Sequence, residues 1–394
     1  MLDDIDALMA DYGVDVLFLE GKSLLKPDLY YMTRFLTVDD FYFVKIRDQP
    51  GVIAALDMIC ERARKYSPIR QFHSVSATWN RAVSDRVPRE ELEFRVISDI
   101  RKQLLPESGV VGIPRHTDAL RVHFLNKLGV QTQPVQTLFF DARETKDAAE
   151  LKAIQRASEA VETTFRQIFD VIQNSEIGSK HQLIYKNHPL TVGYLKRVIE
   201  HSLVDNAAEN SEESIVAGGV LSADYHYLGQ RHDVLHAHEP IIIDIFPRRL
   251  EERYHADITR TIVRGSVPKK LKMLFESVES TLNTVIDTVT VGTTTETLVD
   301  AMADAFERNG HASANRTPEI SEGMIHALGH GIGLDVHEFP QLSLQPIPLR
   351  SNSVIAVEPG LYYKRLGGVR IENDLVVTNK GARSLTTLPM IVFL

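Results

Sequence analysis

The sequence predicts a two-domain chain of the α+β class, from its length, a change of pattern near residue 141 and carboxylates set inside apolar strands. Its 394 residues exceed what one compact core ordinarily holds. Up to Asp141, short helical and strand-like patterns alternate, which describes a smaller N-terminal α/β domain over residues 1–141. Over residues 142–394 the helices come in groups and the strands read as antiparallel and hairpin-linked, as in a larger α+β domain.

In the first block, Val14 to Leu19 (VDVLFL) and Phe41 to Ile46 (FYFVKI) read as buried strands. Residues 86–105 and 116–128 have helical spacing, with Gly129 as a stop. Phe139 and Phe140 read as the close of a strand before the polar run Asp141 to Asp147. His73, Trp79 and Arg81 fit packing or solvated roles, and the block gathers no ligand-like set of side chains.

The second block opens on a long amphipathic helix. Leu151, Ile154, Ala157, Val161, Phe165, Ile168, Phe169 and Ile172 recur at three- and four-residue steps. Further helices are expected near 190–204, near 268–288 with Pro268 in the first turn, and over 294–309 before Gly310. Strand-like runs lie at 215–221, 240–246, 255–264, 354–358 and 368–378.

Composition excludes several classes. Hydrophobic residues make up 43% and charged residues 25%, an ordinary soluble balance. A net charge of −9 without a dense Lys/Arg block argues against nucleic acid or an anionic membrane as partner. The acidic N-terminus lacks the pattern of a signal peptide, and no apolar run reaches the roughly 20 residues that span a bilayer. Cys60 is the single cysteine, so no intrachain disulfide can form and a reducing, cytoplasmic setting is expected.

Chemistry concentrates in the strands of the second block. Asp244 sits inside Pro240 to Phe246 (PIIIDIF), and Asp257 opens the next such run, ADITRTIV. An unpaired carboxylate in an apolar strand is costly, and a hairpin joining the two would set like charges side by side. A divalent cation is the usual remedy. His326 to Glu338 (HALGHGIGLDVHE) brings three histidines and three glycines together, without the HExxH of a zincin helix. Glu358 in AVEPGLYY and Glu372 in GVRIENDLVVT again stand in apolar strand context. Singly, each could be a buried structural group. Together, four carboxylates and a histidine suit two ions such as Mn²⁺, Co²⁺, Fe²⁺ or Zn²⁺.

These five stretches, in the order Asp, Asp, His, Glu, Glu, resemble those of the pita-bread metallopeptidases of Xaa-Pro aminopeptidase and Xaa-Pro dipeptidase (prolidase) type. The N-terminal block, with YYMTRF at Tyr30 to Phe35, resembles the extra α/β domain of that group. The resemblance implies a C-terminal pita-bread domain and a dinuclear exopeptidase that hydrolyses Xaa-Pro bonds through a metal-bridging hydroxide. It implies metal ligation by Asp244, Asp257, His330, Glu358 and Glu372, with Asp257 and Glu372 bridging. Mn²⁺ or Co²⁺ is favoured, and Zn²⁺ or Fe²⁺ also accepts such ligands. Glu358 would move the proton and His337 would receive oxyanion charge, while His226 would contact substrate. His326, Tyr362 and Arg370 would stand close by, with Arg370 orienting a ligand carboxylate. A proline-containing peptide is the expected substrate and a homodimer the expected assembly.

Two departures stand out. Asp244 and Asp257 lie 13 residues apart, more than in many relatives, and the extra length falls in Arg248 to Arg253, read as a charged, solvated hairpin tip. Tyr225 precedes His226 where relatives often carry proline. Competing expectations are a non-peptidase enzyme of the same fold, such as a creatinase-like hydrolase or a lyase, and a non-catalytic binding protein. Creatinase-like relatives lack the full ligand set, and binding relatives lose ligands and gain charged tails.

Overall fold

The computed structural model describes residues 4–394, and the chain divides into two compact units after Arg143. The N-terminal unit is a six-stranded sheet. In spatial order its strands are Gln71–Ser74, Val52–Ala55, Phe41–Ile46, Val16–Gly21, Val110–Ile113 and Gln131–Pro134. Every residue of Val16–Gly21 is buried, as the apolar run Val16 to Leu19 leads one to expect, and Glu20 is paired with Lys26. It pairs antiparallel with Phe41–Ile46 and parallel with Val110–Ile113. Helices Arg89–Leu104 and Ala119–Lys127 pack Val96, Ile97, Ile100, Phe124 and Leu125 against this sheet.

One expectation in this unit fails. Phe139 and Phe140 lie in a helix, Gln136–Glu144, and not at the end of a strand. The strand closes earlier, at Pro134, and the Val135 amide donates to the Ile113 carbonyl. Val135, Leu138 and Phe139 are then buried on one side of a helical turn. An aromatic pair has the same local pattern in a strand or a helix, and the proline decides between them.

The C-terminal unit holds two main sheets, each backed by a pair of helices. The first runs Ile215–Gly218, Ile241–Ile245, Ile258–Val263 and Val392–Phe393. Helices Ala148–Gln173 and Val192–Asp205 cover it. The long helix starts on a capping box: Asp147 accepts from the amides of Ala149 and Glu150, and Glu150 accepts from the Asp147 amide. The second sheet runs Glu338–Leu342, Gly329–Gly331, Val354–Val357, Asn373–Thr378 and Gly381–Ser384. Helices Lys269–Thr288 and Thr295–Arg308 pack on it. Among the described residues no helix is long and apolar enough to cross a membrane.

Strand alternation explains which side chains meet. Ile241, Ile243 and Ile245 enter the first core, so Asp244 takes the opposite face. Ile355 and Val357 enter the second core, as do Leu375 and Val377, which turns Ala356, Glu358 and Asp374 the other way. His330, Ala356 and Asp374 stand in one row across that sheet.

Three expectations in this unit need correction. The run expected as one strand at 215–221 stops at Gly218 and becomes a 3₁₀ turn, Gly219–Ala223, entered through Gly219 at φ +58°. The run at 368–378 is two strands, Gly367–Arg370 and Asn373–Thr378, which belong to different sheets. The segment after Asp244 is no free hairpin tip. Pro247–Arg249 pairs with Ala208–Asn210, and Glu209 binds both Arg248 and Arg253. Arg156 and Arg249 hold Glu252.

Candidate metal centre

Asp244 and Asp257 reach one face through the register of their strands. Asp244 stands opposite Thr259, and Ile245 stands opposite Ile258, so Asp257 follows on the same side as Thr259. Glu372 lies at the break between the two strands, where its amide donates to the Thr259 carbonyl at 3.1 Å. Its Oε2 accepts from the Thr259 hydroxyl at 2.8 Å. Arg260, wholly buried, holds the same break from behind. It donates to the carbonyls of Glu372 at 2.6 Å, Pro389 at 2.8 Å and Leu388 at 3.2 Å, and to Asn373 Oδ1 at 2.8 Å.

Asp257, His330 and Glu372 each offer a ligand atom, all within 4.8 Å of one another, and all three are buried. His330 Nε2 lies 3.6 Å from Asp257 Oδ2 and 3.9 Å from Glu358 Oε1. Asp244 joins the cluster through Arg370, whose Nη2 donates to Asp244 Oδ2 at 2.7 Å. Arg370 also donates to the Thr259 hydroxyl at 3.1 Å and the Tyr362 hydroxyl at 3.0 Å. His326 Nε2 is 2.9 Å from that Tyr362 hydroxyl, and His326 Nδ1 is 3.9 Å from Glu358 Oε2. The His337 ring is exposed and lies 4.4 Å from the His330 ring. His226, also exposed, rests on Tyr225 with ring centres 4.2 Å apart. Apart from Thr259 and Tyr362, these side chains line a cavity of about 510 Å³ within the C-terminal unit, together with Glu212, Leu228 and Phe246.

The electrostatics are those of a place that lacks positive charge. Burial, and then the neighbouring Glu372 and Asp244, push Asp257 well above the usual carboxylate range. Burial, Glu358 and Asp244 push Glu372 up in the same way. Burial raises Glu358 to about 7 and Asp374 to about 8. Burial holds His330 near 4, helped by His337, so its ring is neutral and free to donate a lone pair. Burial opposes the charge on Arg370, but Tyr362, Asp244 and the two glutamates outweigh it and keep the guanidinium charged.

A divalent cation fits this donor set. Asp244 Oδ1 and Asp257 Oδ1 are buried without a hydrogen-bond partner among the described residues, which a folded chain ordinarily avoids. Hard oxygen donors with one imidazole are the composition that Mn²⁺, Co²⁺, Fe²⁺ and Zn²⁺ accept.

Four contributors escape a reading of the sequence alone. Thr259 binds both Glu372 and Arg370, Asp374 accepts from the Asp257 amide at 2.9 Å, Arg260 holds the strand break, and Tyr225 stacks among His226, His326 and Tyr362. Thr259 and Asp374 each lie two residues beyond a ligand carboxylate, so strand period was a usable signal for both. His255 is buried, with Nδ1 3.1 Å from the Gly333 carbonyl oxygen.

Comparisons with known proteins agree with this geometry. The model of metallopeptidase family M24 matches residues 143–379, more than half of the chain. An Xaa-Pro dipeptidase of Pyrococcus horikoshii is 30% identical over 257 residues, 64% of this chain and 65% of that protein. The match thus spans just under two thirds of that relative's length. The solved Xaa-Pro dipeptidase from Bacillus anthracis superposes with a TM-score of 0.80 at 20% identity, over 100% of this chain and 99% of that one. The X-Pro aminopeptidase from Thermotoga maritima gives 0.77 at 21% identity, over 98% of this chain and 100% of that one. At these identities the structural likeness is one of fold, which is the pita-bread domain preceded by an N-terminal α/β domain. On the family match, the chain belongs to metallopeptidase family M24.

Proposed function

We propose that the chain is a dinuclear metal-dependent exopeptidase that hydrolyses Xaa-Pro bonds. The observation that carries this is the convergence of Asp244, Asp257, His330, Glu358 and Glu372 on one cavity, with Asp244 Oδ1 and Asp257 Oδ1 unpartnered among the described residues. Those five residues would hold two divalent ions, with Mn²⁺ or Co²⁺ favoured. The ions, when bound, would acidify water and polarise the substrate carbonyl.

The remaining steps belong to the chain's own side chains. Glu358, on the cavity wall beside His330, would accept a proton and return it to the leaving nitrogen. His337 faces the cavity and would share the negative charge that develops on the carbonyl oxygen. Arg370 holds Asp244 by a charge-assisted bond and fixes its rotamer. His226 and His326, on either side of Tyr225, would contact the substrate, and Tyr362 steadies His326. Proline specificity and a choice between dipeptide and longer substrates follow from the Xaa-Pro dipeptidases and aminopeptidases to which the chain is similar. A homodimer in a reducing, cytoplasmic setting completes the proposal, in keeping with one buried cysteine.

Metal analysis of purified protein followed by paired assays on Ala-Pro and Ala-Pro-Ala tests the proposal. About two ions per chain and cleavage of either peptide are expected. Metal-loaded protein that cleaves neither would overturn it.

A further inference from the structure

The loop from Gly331 to Glu338 delivers His337 to the cavity, and it is fixed at three points. Gly331 pairs with Glu338 across the antiparallel ladder. The Gly333 carbonyl accepts from the His255 amide at 2.8 Å. Glu338 Oε1 accepts from the amides of Leu334 at 2.8 Å and Asp335 at 3.1 Å. The loop closes tightly around this carboxylate, since a Cβ on Gly333 would lie 2.5 Å from Glu338 Oε2.

The other end of Glu338 meets a residue 192 positions away. Lys146 Nζ donates to Glu338 Oε2 at 3.2 Å, and both side chains are 2% exposed. Lys146 Nζ also donates to the Glu144 carbonyl at 3.1 Å, and the Lys146 amide donates to the Asn352 carbonyl at 3.0 Å. Neither Lys146 nor Glu338 lines the cavity. For stability alone such a pair has little to recommend it, because apolar side chains of similar volume often serve a core as well or better. What it adds is direction. An ionised carboxylate with a fixed cation behind it can accept two backbone amides at once, and the residue before it is His337.

We propose that the buried Lys146–Glu338 pair is the positioning device for His337. Glu338 ties down the turn that aims the imidazole, and Lys146 holds the Glu338 carboxylate in place. The proposal rests on the hydrolytic function proposed above, and its test separates the two.

Turnover of Ala-Pro and of Ala-Pro-Ala by the full-length, metal-loaded wild type is measured first; cleavage of neither counts against the hydrolytic function, and the peptide that is cleaved serves for the variants. In Glu338→Gln, kcat is expected to fall about 10- to 100-fold while KM changes less than about threefold and bound metal is unchanged. In a His337→Ala background the same substitution should cost less than about twofold, because both changes remove one contribution. The double variant K146M/E338M replaces the pair with apolar side chains, guards against a folding failure of the single change, and should show the same loss of kcat. Lys146→Arg keeps the cation and should retain most of the rate. Independently of turnover, histidine ring NMR should give one set of His337 signals in the wild type, and broadened or multiple signals in Glu338→Gln. Wild-type kcat in a folded Glu338→Gln or K146M/E338M would overturn the proposal, as would an equal cost in the His337→Ala background or an unchanged His337 spectrum.

Discussion

In the N-terminal unit each buried charge has its own counter-charge. Lys26 lies 2.6 Å from Glu20, Lys45 meets Asp6, and Arg143 lies 2.7 Å from Asp28. In the C-terminal unit, Asp244, Asp257, Glu358 and Glu372 share one contacting cation, Arg370, which touches only Asp244. Both units rest on well-filled apolar cores, so hydrophobic packing does not distinguish them. Their treatment of buried acid does. A fold that needs only stability neutralises each charge locally, whereas a surplus of acid at the centre of a unit marks a place for something from outside.

The largest expected effect removes that surplus. Asp257→Asn or Glu372→Gln should abolish tight metal binding and lower kcat/KM by about 1,000-fold or more. The metal-free form of either variant should unfold at a higher temperature than metal-free wild type, since a repelling buried charge has gone. Calorimetric titration and thermal unfolding read these outcomes, and a destabilised metal-free variant would break the comparison.

Asp28→Asn is the matching change in the N-terminal unit. It removes the carboxylate that faces Arg143, whose side chain is 3% exposed, and should cost about 3–5 kcal/mol in denaturant unfolding. Metal affinity should stay at the wild-type value. A shared loss of metal binding would show that the two units do not divide their tasks in this way.

Metal itself gives the next effect. Because ligands that bind only the folded state stabilise by mass action, an ion at 100 times its Kd should add about 2.7 kcal/mol. Removal by a chelator should reverse the shift, and Glu372→Gln should show none.

The smallest effect concerns a carboxylate that is satisfied without metal. Burial opposes ionisation of Glu162, but the Thr387 amide and the hydroxyls of Thr386 and Thr387 outweigh it and hold its carboxyl below the ordinary value. A carboxylate depressed in the folded state stabilises above its unfolded pKa and loses that contribution as pH falls through the folded one. Glu162→Gln should lower Tm at neutral pH by a few degrees at most, and the two proteins should converge in acid. A gap that persists in acid would assign the effect to packing.

Much of this was legible in the sequence, and the rest was not for physical reasons. The run around Asp244 announces itself because it is apolar but for one acid, and the run around Asp257 repeats a single acid in a strand-like pattern one strand later. The long helix at Ala148–Gln173 was equally plain from its period after the polar run that ends at Asp147. The break at Glu372 was invisible, since GVRIENDLVVT reads locally as one strand. Bonds from Thr259 and Arg260, more than 100 positions away, impose it. The segment at Arg248 to Arg253 misled for the same reason. Its partners Glu209 and Arg156 are remote, so a run of charge looked solvated. Local pattern reveals a ligand's type, but only the folded chain reveals how it is aimed.

Arg260 carries one more consequence. It fastens the backbone of Glu372 to the carbonyls of Leu388 and Pro389, a segment that Glu162 also grips. During synthesis, Asp244, Asp257, His330, Glu358 and Glu372 all emerge before the stretch that sets the last of them in place. The bonds from Arg260 to Leu388 and Pro389 therefore cannot form until those residues have followed all five ligands out of the ribosome.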